Sequence, residues 1–249
     1  MSEPPALKLY AFTCGLLNLR HAFLLDGAPG RIIVPVPAYL IDHPKGRALF
    51  DTGLGIRFRH AVGAPSPFPT IEFEETADIA ARLRAIQIDP ASIRWIINSH
   101  LHLDHAGGNI LIPNATVLIQ TGEWDYAQSG VDRAYHPAEF DTGQPVVKLH
   151  GEHDLFGDGS VVLFPSPGHT PGHQCARIRL PAGDVILAAD CCNMRASLDE
   201  MRLADHVHDR DAALATLGRL RDLRDAGARI FYGHDPEFWS GVPQAKALT

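Results

Sequence analysis

The run His100-Leu101-His102-Leu103-Asp104-His105 constrains this chain more than any other feature. It sets three imidazoles and a carboxylate in six consecutive positions. That donor set suits zinc and related divalent ions. The preceding run, Arg94 to Asn98, reads as a short buried strand, and Gly107-Gly108 follows the motif. The cluster therefore sits just past a strand end, where a sheet can hold it rigidly. His100 and His102 alternate and can face one way. The adjacent Asp104 and His105 must diverge, which points to a second ion. A histidine-rich surface turn explains one or two imidazoles, but not this spacing behind an apolar strand.

The remaining chain supplies more segments of the same kind. Residues 1–6 read as a loose tail and Leu7 to Phe12 as a first strand. Arg31 to Asp42 is a strand whose prolines indicate an edge or a bulge. His43-Pro44-Lys45-Gly46 turns it into Arg47 to Phe50, a hairpin that ends in Asp51-Thr52-Gly53. Leu54 to Phe73 is a loop with much apolar weight, including Phe58 and Phe68. It either covers core or lines a pocket. Thr76 to Ile88 is helical, with Ile79, Leu83 and Ile86 on one stripe. Ala115 to Gln120 is a strand, and Thr121 is the expected cap of a short helix. Residues 129–145 read as a polar surface excursion. Val146 to His150 and Ser160 to Phe164 are strands. Pro167-Gly168-His169 and Pro171-Gly172-His173 form a stiff loop that can fix an imidazole. Gln174 to Leu180 and Asp184 to Ala189 are strands, the second ending on Asp190. Arg210 to Ala226 is helical, and Arg229 to Tyr232 is a last strand before Gly233-His234-Asp235. No linker or short repeat interrupts this order, so residues 1–249 are expected to form a single domain.

Apolar strand, sharp turn and ligand-type residue thus recur at His100 to His105, His169, Asp190 and His234. The ordered set, with the Asp51 hairpin before it, resembles the metallo-β-lactamase superfamily over nearly the whole chain. The fold this resemblance implies is α/β, a four-layer αββα sandwich. It also implies a ligand assignment. His100, His102 and His169 hold one ion, Asp104, His105 and His234 the other, and Asp190 bridges them. Asp51 then orients a ligand histidine; a plain Asx turn is the alternative. His173, four residues after His169, is left out of the ligand set, as are Cys191 and Cys192. His21, His43, His60, His136, His150, His153, His206 and His208 lack the context and are assigned to surface or packing.

Composition narrows the partners. A net charge of -7 argues against nucleic acid, which needs clustered Lys and Arg. No apolar run approaches the ~20 residues of a membrane span, and no export signal is visible. With those readings, the four cysteines are expected as free thiols in a cytoplasmic protein. The expected partner is a small-molecule substrate, with oligomeric state left open.

Within the superfamily, Pro-Gly-His169-Thr-Pro-Gly-His173-Gln174, Asp190 and Phe-Tyr-Gly-His234-Asp235 are most similar to the N-acyl-homoserine lactone lactonases. The resemblance implies a hydrolase with two divalent ions per chain, zinc first, with iron, manganese or cobalt as alternatives. A hydroxide bridging the ions would open the lactone ring. Asp190 would bridge the ions and Asp104 would pass a proton to the departing alkoxide. Leu103, Phe58, Phe68 and Asn193 are the candidate pocket residues. The lactonases carry a tyrosine three residues after the bridging aspartate, where this chain has Asn193. The alternative is a glyoxalase-II-like thioesterase, disfavoured because Pro236 to Thr249 offers only Lys246 to hold carboxylates. A β-lactamase or a non-hydrolytic di-iron protein ranks lower.

Overall fold

Long apolar runs in this chain are buried on both faces, and that requirement builds two stacked sheets. The computed structural model describes residues 7–55, 57, 70–72, 74 and 76–248. In chain order the strands and helices are β1 (Lys8–Arg20), β2 (Arg31–His43), β3 (Gly46–Phe50), β4 (Thr70–Glu72), α1 (Ile79–Ala85), β5 (Ile93–Ile97), α2 (Leu103–Ala106), β6 (Thr116–Gln120), α3 (Thr121–Gln128), α4 (Pro137–Phe140), β7 (Val146–Leu149), β8 (His153–Asp154), β9 (Val161–Pro165), β10 (Gln174–Leu180), β11 (Gly183–Ala189), α5 (Arg195–Asp199), α6 (Arg210–Asp225), β12 (Arg229–Tyr232), α7 (Pro236–Ser240) and β13 (Ala247–Leu248).

The first sheet runs β13-β1-β2-β3-β5-β6-β7, with β4 also on β1. It is antiparallel from β13 to β3 and parallel from β3 to β7. The second runs β12-β11-β10-β9-β8. Leu9, Tyr39, Ile41, Phe50 and Ile97 of the first sheet meet Leu163, Ile178, Val185, Leu187 and Phe231 of the second in one buried layer. Each Leu or Ile fully buried there stabilises the fold by about 1.5–3 kcal/mol. Ile79 and Leu83 of α1 cover the outer face of the first sheet. Leu217 and Leu220 of α6 cover that of the second. The result is the αββα order. Among the described residues, no helix is long and apolar enough to cross a membrane.

Several local expectations need correction. β1 extends to Arg20 because the chain passes through a bulge between Thr13 and Leu16, with Gly15 at φ 123°. The prolines of β2 sit where an edge or a bulge was expected: Pro35 and Pro37 lie opposite the bulge of β1 and outside the pairing with β3. Only Tyr39 to His43 of β2 pair with β3. Thr121 is the first residue of α3 rather than its cap, and its hydroxyl donates to Leu149 O at 3.1 Å. Residues 129–145 are not wholly a surface excursion, since Tyr135, Glu139 and Phe140 are buried. Phe58, Phe68, His60, the tail 1–6 and most of the loop 54–73 lie outside the described residues.

Candidate metal centre

Strand ends bring the ligand-type residues together. β5 ends at Ile97, and Asn98 to His102 lead into α2, whose first turn carries Asp104 and His105. His169 sits on the loop from β9 to β10, and Asp190 directly follows β11. His234 lies just past β12. The Asp51-Thr52-Gly53 turn packs against Gly107 and Gly108. A Cβ on Gly108 would stand 2.4 Å from Thr52 O, and one on Gly107 2.3 Å from Gly55 N. Two turns in a strained region aim the carboxylates: Asp51 has φ 56° and Ala189, before Asp190, φ 45°. Such torsions cost of order 1–3 kcal/mol each and persist where the surroundings over-determine them.

All seven expected residues converge. Donor atoms of His100, His102 and His169 lie within 4.8 Å of one another, as do those of Asp104, His105 and His234 and those of His100, His105 and Asp190. His100 Nε2 is 2.9 Å from His102 Nδ1, and His169 Nε2 is 3.3 Å from the same atom. Asp190 stands between the two groups. Its Oδ1 is 3.1 Å from His105 Nε2 and 3.0 Å from His234 Nε2, while its Oδ2 is 3.6 Å from His169 Nε2.

The outer atoms of several imidazoles are fixed by hydrogen bonds, which sets what faces inward. His105 Nδ1 donates to Asp51 Oδ2 at 2.8 Å. Ser99 donates to the same carboxylate through its amide at 2.7 Å and its hydroxyl at 2.8 Å. The Ser99 oxygen therefore accepts from His100 Nδ1 at 3.0 Å. His234 Nδ1 donates to Pro35 O at 2.7 Å. The inward atoms crowd one another instead: among the described residues, His105 Nε2 and Asp190 Oδ1 are buried with only each other and His234 Nε2 at close range. Buried polar atoms need partners. Three imidazole nitrogens beside two imidazoles and a carboxylate, with a shared carboxylate between, form a donor chemistry that fits divalent metal ions.

The two groups differ electrostatically. Burial lowers the pKa values of His100, His102 (to about 4) and His169, and neighbouring imidazoles add to this at His100 and His169. Burial works in the same direction on His105 and His234. There the carboxylates overturn it: Asp190, Asp104 and Asp51 raise His105, and Asp190 with Asp104 raises His234. Burial would raise Asp190, but His234 and His105 hold it well below the usual carboxylate range.

A model of the metallo-beta-lactamase superfamily matches residues 31–234. The chain belongs to this superfamily. It is 30% identical to the N-acyl homoserine lactonase AttM of Azorhizobium caulinodans, covering 96% of this chain and 97% of that one. It is also 30% identical to the N-acyl homoserine lactonase of Bacillus thuringiensis, covering 92% and 94%. Among solved structures it is similar to an N-acyl homoserine lactone hydrolase with N-hexanoyl-L-homoserine, its product, bound at the catalytic metal centre. The TM-score is 0.87 at 26% identity, over 97% of this chain and 98% of that one. The αββα sandwich is the fold of this superfamily.

Other residues fall into place around the superfamily centre. Asn193 is buried, and among the described residues its Oδ1 has no hydrogen-bond partner. It lines a small cavity with His169, Asp190, Leu203, Val207 and Leu217. Leu103 packs beside Leu17, Leu19, Val36 and Leu54. His173 is buried behind His100, with ring centroids 5.3 Å apart, and its Nδ1 is bonded to Ser166 Oγ at 2.7 Å. It also lies near Cys175 and Cys191. Cys175 Sγ and Cys191 Sγ are 3.4 Å apart, and burial lifts the Cys191 thiol. The sequence reading missed Glu123, Tyr135 and Thr170, which form a buried polar group beside His102 and His169. The only local signal was an acidic residue in the first turn of a helix that starts at a strand end.

Proposed function

We propose that this protein is a metal-dependent lactonase, opening the ring of N-acyl homoserine lactones or closely related small lactones. The observation that carries the reading is a complete donor set in a chain aligned end to end with named lactonases. His100, His102 and His169 would hold one ion, Asp104, His105 and His234 the second, and Asp190 would touch both. Two ions, with zinc the first choice, would acidify bound water to a pKa of about 7 and polarise the ester carbonyl.

The protein's own groups complete the chemistry. Asp104 and Asp190 are the acidic groups at the centre, with side chains 14% and 10% exposed, whereas His105 and His234 are 2% exposed. Substrate would approach along the edge that these carboxylates share with the partly buried His102. Asp104 Oδ2 lies 3.6 Å from His234 Nε2 and 3.7 Å from His105 Nε2, and in this reading it would hand a proton to the ring oxygen as it leaves. Asn193 lines a small cavity beside His169 and Asp190 and would lie near the bound ring. Leu103, next to Asp104 in the chain and packed on the Leu17–Leu54 cluster, would also border the substrate.

The test is a hydrolysis panel on metal-loaded protein: acyl-homoserine lactones of several chain lengths, a simple lactone, a glutathione thioester and a β-lactam, followed by proton release in weak buffer. Ring opening of a lactone is the expected result. Turnover of the thioester with no lactone hydrolysis would transfer the assignment to the thioesterase.

A further inference from the structure

Glu123 carries a carboxylate with no exposed surface, in the first turn of α3. The groups that act on it most strongly are neutral hydrogen-bond donors rather than a cation. Burying an unpaired carboxylate is costly unless hydrogen bonds replace its water. Four donors do so here. Leu101 N and Tyr135 Oη donate to Oε1 at 3.0 and 2.8 Å. Thr170 Oγ1 and Gly172 N donate to Oε2 at 2.6 and 3.2 Å. Burial pushes the carboxyl up, and these four donors pull against it.

The donors come from three chain segments, and each segment touches an imidazole of the same group. Leu101 lies between His100 and His102. Tyr135 forms a β-bridge with His102, and its ring centroid is 4.8 Å from that imidazole. Thr170 follows His169 directly, and Gly172 closes the same loop. Gly172 has no room for a side chain, since a Cβ there would stand 2.0 Å from Glu123 N. The His169 loop thus rests on the first turn of α3. None of the four donors belongs to the Asp104–His105–His234 group, whose outer nitrogens are held by Asp51 and Pro35.

We propose that Glu123 is a positioning residue for one of the two metal positions: its buried carboxylate sets the spacing of His100, His102 and His169 and so the affinity of that position alone. The inference rests on the reading that these imidazoles hold an ion. Charge acts in the same direction, because this position otherwise has three neutral ligands and only a shared carboxylate.

The experiment is cadmium-113 NMR and chelator competition on protein loaded with two cadmium ions. An all-imidazole position and one with an added carboxylate give separate resonances. Glu123→Gln keeps the shape but removes the charge and turns an acceptor into a donor facing donors. It should weaken the His100–His102–His169 position by about 10–100-fold and leave the other resonance and affinity unchanged. Thr170→Val removes one donor and keeps the charge, so it should give a smaller loss at the same position. It also serves if Glu123→Gln fails to fold. Equal loss at both positions, or loss at neither, in a folded variant would overturn the inference. Fewer than two cadmium ions on the unmutated protein would overturn the metal-centre reading along with it.

Discussion

The two halves of the centre are built by opposite means. The His100–His102–His169 half consists of neutral imidazoles, with His102 lowered to about 4, and its fixed negative charge, Glu123, lies behind the ligand-bearing loops. In the Asp104–His105–His234 half the charge lies among the inward-facing donor groups. Asp104 and Asp190 face the imidazoles at 3.0–3.7 Å, and Asp51 holds His105 from behind. That half must be balanced by a cation or by protons, and the raised pKa values of His105 and His234 express the demand. One half is ordered by hydrogen bonds to its loops, the other by direct charge compensation.

The largest test of this contrast is the residue both halves share. Asp190→Ala should lower kcat/KM by at least ~10³, about 4 kcal/mol, and deplete both ions. Steady-state kinetics with parallel metal analysis checks it, and loss of one ion only would break the symmetry assigned to Asp190. Metal removal comes next. Intact protein should carry close to two equivalents, and chelation should lower Tm. An ion at 100-fold excess over its Kd stabilises by about 2.7 kcal/mol per site. An unchanged Tm would mean the halves are rigid without metal.

Asp51→Ala sharpens the contrast from the other side. It should weaken the His105-containing position by about 10–100-fold, the usual loss for such a supporting group. Ser99 also depends on Asp51, so a smaller effect reaches His100. Chelator titration reads both. Asn193→Ala should cost less than roughly tenfold in kcat/KM, under about 1.4 kcal/mol. Its amide is shorter than the tyrosine of the lactonases by most of a ring. Tyr135 does not replace that tyrosine, since its hydroxyl is committed to Glu123. A fall as deep as that of Asp190→Ala, with both metals retained, would make Asn193 the oxyanion donor.

The pH dependence of the metal-free protein reads the same contrast, because imidazoles in the two halves are shifted in opposite directions. His102 and His173, lowered to about 4 and about 3, are protonated first in the unfolded chain. They cost stability as pH falls below about 6.5. His105 and His234, raised, contribute stability that is full below about 6.5 and is lost as pH rises through their folded values. Tm of chelated protein should therefore pass through a maximum, where a monotonic curve would contradict the opposed assignment.

The residues that converge at the candidate centre were legible because each follows a local pattern: an apolar strand that ends, a turn, and a donor. The hairpin to Asp51 and the stripe of α1 were legible for the same reason. The full length of β1 was not, because the bulge at Thr13 to Leu16 breaks the alternation that marks a strand. Glu123 and Tyr135 escaped because a carboxylate becomes a hub only when packing brings Leu101, Thr170 and Gly172 to it. Those residues lie 22, 47 and 49 positions away. Tyr135 itself looked exposed because its neighbours are polar.

The bond from His234 to Pro35 joins residues 199 positions apart, and it fixes a chronology. Contacts of such long sequence separation form late, since the closing chain must lose most of its freedom first. Asp51 and His105, 54 positions apart, can meet once the first sheet exists. Both halves therefore stay incomplete until the second sheet brings His169, Asp190 and His234 to the first, and a chain halted before that step would offer an ion only a partial grip.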